Sequence, residues 1–128
     1  MAINYSTAVK NTRMTATRDA VDGGSGPGKL NIYSAAYAAL LVSIVLADPS
    51  GAVANGILTL SGMPKFGTGL PAAGGGTNAA LAKIVDSADT VIADGLTVGT
   101  VGTNVIIDNI NIAENQVVNL NSGTITHG

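Results

Sequence analysis

The stretch "DGGSGPGKLN", residues 22–31, carries residue types and spacing that can cradle a phosphate. Gly23, Gly28 and Lys29 satisfy most of the pattern G-x-x-x-x-G-K-[ST]. In that pattern backbone amides wrap phosphate oxygens, and the lysine reaches the terminal groups. The chemistry needs a strand before the loop, a helix after it, and a hydroxyl beside the lysine to hold magnesium. Here a helical pattern comes first and a strand pattern second, Leu30 stands where the hydroxyl belongs, and Pro27 removes an amide. Nucleotide binding is therefore not expected, and the stretch reads as a joint between two elements.

Other constellations are sparse. Cysteine is absent, which removes disulfides, thiolate metal sites and cysteine nucleophiles. The single histidine, His127, lies next to the last residue and has no partner for a hydrolytic triad. Asp86 and Asp89 flank "SA", with Asp94 beyond them, but the spacing matches no calcium loop, and aspartate is the expected residue at hairpin ends. Stacking platforms for sugars need aromatic pairs, and the chain has no Trp and one Phe. The expectation is a protein that is not an enzyme, with no catalytic residue, cofactor or metal.

The elements that would position any site follow from periodicity. Ser6 or Thr7 can cap a helix running to Asp22, with Tyr5, Val9, Thr12, Ala16 and Ala20 on one face and Lys10, Arg13 and Arg18 away from it. Arg18 and Asp22 are spaced to pair on the exposed side. So thin a stripe is marginal alone, and it must rest on a sheet or on a neighbouring subunit. After Gly28 the period drops to two. "KLNIY" (29–33), "LLVSIVL" (40–46) and "ILTLS" (57–61) read as strands, with turns at "DPSG" and "ANG". "ALAKIVD", "VIADGLTV", "NVIID", "QVVNLN" and "TITH" continue the series towards the C-terminus.

Between them lies "GMPKFGTGLPAAGGGTN", residues 62–78, too rich in glycine and proline to predict regular structure. Its Met63, Phe66 and Leu70 are apolar without an obvious core to enter, which points to a segment ordered against another chain. The expected fold is mainly β: a two-sheet β-sandwich of jelly-roll or Greek-key type with an N-terminal α-helical arm. Residues 1–22 form the arm, 23–28 a Gly/Pro hinge, and 29–128 the sandwich domain. At 128 residues such a chain buries about two-thirds of its unfolded surface and should fold as one domain.

Charge and hydropathy narrow the partners. Charged residues are 11% of the chain. Lys10, Arg13, Arg18 and Lys29 outweigh Asp19 and Asp22 in the first 29 residues, while the remainder is acidic. No basic run with interleaved aromatics exists to hold nucleic acid. The longest apolar stretch, Ala35 to Ala47, is too short to span a bilayer, and the start of the chain lacks the pattern of a signal peptide, so membrane partners and export are not expected. The asparagine-rich alternation from Asn104 to Gly128 leaves a face almost without charge, which reads as an ordinary solvated sheet surface or, in the alternative, as a contact face between subunits.

The segments "MAINYSTAVKNTRMTATRDAVDGG", "LADPSGAVANGILTLSGMPK", "IVDSADTVIADGLTVGT" and the closing "SGTITHG" resemble small virion proteins of tailed bacteriophages, in particular head decoration, or cement, proteins. The resemblance implies a structural protein that binds the outside of the expanded head, where major capsid subunits meet, and strengthens the shell. It implies the major capsid protein as partner, a homo-oligomer with a trimer favoured over a dimer, synthesis in the host cytoplasm and a final place on the capsid's outer surface. The contact residues would be Tyr5, Val9, Lys10, Arg13 and Arg18 in the arm and Met63, Phe66 and Leu70 in the loop. A tail tube or fibre component and a glycan-binding adhesin module are the rival functions for this texture.

Overall fold

The computed structural model describes residues 6–23, 26–47, 50–62 and 65–126. The chain is mainly β with one N-terminal helix. Helix α1 spans Thr7–Asp22 and is followed by strands β1 (Lys29–Tyr33), β2 (Leu40–Val45), β3 (Gly51–Ala54), β4 (Ile57–Leu60), β5 (Lys65–Thr68) and β6 (Thr77–Asn78). Strands β7 (Leu81–Val85), β8 (Val91–Gly99), β9 (Val105–Ile107), β10 (Asn111–Ile112) and β11 (Val117–Thr126) complete it.

The helix begins where the sequence predicts. The Ser6 side chain accepts a hydrogen bond from the Val9 N–H at 3.3 Å, satisfying one of the orphan donors of the first turn. Its buried side is the reverse of the expected one. Met14 and Val21 are buried, flanked by half-buried Lys10, Asn11, Thr17, Arg18 and Asp22, whereas Val9, Thr12, Ala16 and Ala20 face outward. Met14 brings a long apolar side chain to this side, whereas beyond Val9 the outward stripe has only a threonine and two alanines. Lys10 and Arg18 lie on this side too, because their methylene stems can cover apolar surface while the charged ends reach solvent. The expected Arg18–Asp22 pair is also absent: Arg18 pairs with Asp19 at 3.3 Å, and the Asp22 carboxylate accepts the Ser50 N–H at 3.0 and 3.2 Å.

The strands hydrogen-bond into one curled mixed sheet of order β2-β1-β7-β8-β9-β11-β4-β3, with β5 also on β11, and a separate β6–β10 ribbon. The two distinct sheets expected from the sequence are not how the ladders are linked. Two features account for the difference. Residues 117–121 of "QVVNLN" and 124–126 of "TITH" belong to a single strand, β11, which pairs with β9 on one side and with β5 and then β4 on the other. Gly123 reads as a strand breaker, yet a Cβ there would come within 2.6 Å of Leu60, so glycine serves close packing and leaves the strand intact. The second feature is the parallel pairing of β8 with β9, Val98 opposite Val105, across residues 100–104 alone. Parallel neighbours ordinarily need a crossover of about a dozen residues. Asn104 makes the short return workable. Its Oδ1 accepts the Thr97 N–H and hydroxyl at 3.2 and 3.0 Å, and its own N–H donates to the Thr97 hydroxyl at 3.2 Å.

Segment 62–78 differs most from expectation. Its described residues from 65 onward contain β5, a short 3-10 turn at Pro71–Ala73 and β6, and they bond to other parts of the same chain. The Leu70 N–H donates to the Leu41 carbonyl at 2.8 Å, and the Gly69 N–H to the Gln116 carbonyl at 2.7 Å. A Cβ on Gly67 would lie 2.8 Å from Val42 and 2.9 Å from Ile44, so the bare backbone lets β5 close against β2. Inside the curl, Leu30, Ile32, Val42, Ile44, Ile84, Val105, Ile107, Ile112, Val118 and Leu120 form the core, almost wholly shielded from water. Each contributes about 1.5–3 kcal/mol of transfer free energy.

Candidate interaction surfaces

The phosphate-loop residues take structural roles. Gly28 is buried so tightly that a Cβ would meet the Val85 carbonyl at 2.7 Å, and β1 follows it directly. The Lys29 ammonium pairs with the Asp89 carboxylate at 3.0 Å. Asp86 accepts the Ala88 and Thr90 N–H groups, both at 2.9 Å, and Asp89 has φ of 67°, so the Asp86 carboxylate and the Asp89 backbone build the β7–β8 turn. Among the described residues, no three His, Asp or Glu side chains cluster closely enough to hold a metal ion. Tyr5, Met63 and His127 lie outside the described residues.

The remaining contact candidates separate onto two surfaces. On α1, Val9 is 41% exposed and, with Ala8, Thr12 and Arg13, lines a depression of about 320 Å³. Lys10 and Arg18 sit on the opposite, body-facing side of the helix, so the four described arm residues do not form one patch. On the sheet, Phe66 is 70% exposed. The register of β5 on β11 sets Phe66 opposite Asn119, and Thr68 opposite Val117, which is itself 55% exposed. Asn119 is held flat by Asp108, which accepts its N–H and its side-chain amide at 3.1 Å each. The result is a strip of two large apolar side chains, a threonine and an immobilised asparagine. Leu70 is half-buried and tied to β2, so it does not join this strip.

Val117 was not singled out by sequence reasoning, although the doublet Val117–Val118 holds the signal, since in a strand one of two neighbours must point outward. A third arrangement, Tyr33, Tyr37 and Lys83, had no sequence signal. The rings meet edge to face with centroids 5.4 Å apart, and the Lys83 ammonium lies 4.5 Å from the Tyr37 centroid and 5.2 Å from that of Tyr33. It depends on left-handed backbone at Ala36 and Tyr37, both with φ of 57°, which brings the Tyr37 hydroxyl to accept the Gly95 N–H at 2.6 Å. Consecutive left-handed residues other than glycine cost about 1–2 kcal/mol apiece, and the ring contacts and this hydrogen bond offset that cost.

No family model, curated protein or solved structure matches the chain.

Proposed function

We propose that this chain is a capsid decoration protein of a tailed phage, which binds the outside of the expanded head where major capsid subunits meet. In this reading the curled sheet is a jelly-roll-type sandwich whose two layers face each other where β2 meets β5. The observation that carries the reading is the strip on β5 and β11. The only Phe of the chain is spent on an outward position beside exposed Val117, on a face where the Asp108 carboxylate is engaged by Asn119. Apolar anchors in surroundings depleted of charge characterise the centre of a protein interface. The exposed Val9 side of α1 supplies a second contact, either to the shell or to an adjacent copy in a homotrimer.

The mechanism is mechanical. A protein that binds the expanded lattice better than its precursor stabilises the expanded state by that difference in affinity. Rupture of the shell then requires breaking these contacts as well. The test is to mix purified protein with precursor and expanded heads of tailed phages, sediment them and measure what is retained. Expanded heads should carry the protein and disrupt at a higher temperature; retention by neither form, or self-assembly of the protein into rings or fibres, would contradict the proposal.

A further inference from the structure

The chain contains a single Asn-Gly dipeptide, Asn55–Gly56, and it forms the two-residue turn between β3 and β4. Both residues are left-handed, φ of 53° and 73°, as a primed hairpin turn requires. Asn-Gly is also the dipeptide in which a backbone nitrogen most readily attacks the preceding side-chain amide, because glycine offers no side chain to obstruct it. Asn55 is exposed, so water and base reach it. Gly56 is buried, and its N–H donates to Asn11 Oδ1 on α1 at 2.7 Å. The methylenes of Lys10 cover the same glycine: a Cβ there would stand 3.0 and 3.1 Å from them.

We propose that Asn55–Gly56 is a site of spontaneous deamidation, and that the docked helix holds the reaction back. The Gly56 nitrogen must lose its proton to bond to Asn55 Cγ. The Cγ–Nδ2 bond then breaks, and ammonia leaves with a proton taken up from solvent to balance the one released. Water opens the resulting cyclic imide at either carbonyl, leaving Asp or isoaspartate at position 55. A hydrogen bond from the Gly56 N–H to a neutral carbonyl oxygen favours the protonated nitrogen, and the bond fixes that nitrogen in place. Isoaspartate would add a backbone methylene to a turn that has only two residues. The Ala54–Ile57 register would be lost, and Gly56 would be drawn away from Asn11. Deamidation and undocking of α1 thus promote each other.

The experiment uses the full chain at mildly alkaline pH, with peptide mapping by mass spectrometry and enzymatic detection of isoaspartate at position 55. Folded wild type should keep Asn55 as an amide over a period in which the urea-unfolded chain converts. Asn11→Ala, with circular dichroism showing the helix retained, should convert faster than wild type. Asn11→Asp, which keeps an acceptor, should be as slow as wild type. Conversion of folded wild type at the unfolded rate, or a folded Asn11→Ala as slow as wild type, would overturn the proposal. Hydrogen exchange of the Gly56 amide in wild type gives a check independent of the variants: slow exchange is expected, and exchange at the rate of an open loop would also overturn it.

Discussion

Strands β1 and β5 both carry antiparallel ladders, yet they differ in how their faces are used. In β1 the three central residues, Leu30, Asn31 and Ile32, are all buried, and the one polar member is satisfied by the Ser43 hydroxyl, which donates to Asn31 Oδ1 at 2.7 Å. In β5 every second residue is exposed, and the largest, Phe66, is 70% open to water. The ladder bonds are of one kind, so the difference lies in what covers the outer face. A strand covered on both faces contributes stability, while one open on a face keeps apolar surface in reserve for another molecule.

The largest loss of stability is expected in the covered region. Ile44 faces Leu30 across the β1–β2 ladder and is completely shielded. Ile44→Ala should cost about 2–5 kcal/mol, read as a lower urea midpoint at unchanged slope. The next effect is smaller and lies where the two regions meet. Gly67→Ala forces a methyl into Val42 and Ile44 and should cost about 1–3 kcal/mol, since β5 must lift from β2 to admit it. That variant should also shift the exposed strip, so it links the stability of one region to the presentation of the other. Lys29→Ala sharpens the comparison from the opposite side. The Lys29–Asp89 pair is partly exposed, and its loss should change stability by about 0–1 kcal/mol and leave binding to heads unchanged.

The strands of the covered region were legible in the sequence, as was the β11 side of the open strip through "QVVNLN", whereas β5 was not. Leu30 and Ile32 alternate, as do Val42 and Ile44, and such alternation reports a buried face wherever one exists. The helix span was legible for a comparable reason, because Ser6 is a capping residue and Gly23 a stop. Its buried face was not, because spacing counts positions and burial counts surface area: Met14 and Val21 go inward while the stripe of Val9, Thr12, Ala16 and Ala20 stays outside. β5 escaped notice because Gly67 and Gly69 resemble loop residues, and their value as close-packing positions depends on strands far away in sequence. The Tyr33–Tyr37–Lys83 cluster depends on two left-handed residues that no local pattern announces.

The sequence sets residues 1–22 apart as an arm that must rest on a sheet or on a neighbouring subunit. The buried Met14 and Val21, the Asp22 bond to the Ser50 N–H and the Asn11 bond to the Gly56 N–H tie α1 to the sheet of its own chain. Deletion of the helix would expose what those two side chains cover, so loss of binding in such a deletion would not separate a contact role from a folding role. Point substitutions on the outer face do separate them.

The most direct measurement is therefore made at Phe66. Phe66→Asp places a charge at the centre of the strip while removing a side chain that is already mostly in water, so the unfolding midpoint should move by no more than about 0.5 kcal/mol equivalent. Wild type and variant are sedimented with expanded phage heads over the same concentration range. The proposed function predicts retention of wild type and loss of retention for the variant at unchanged stability; a variant retained as tightly as wild type would contradict it.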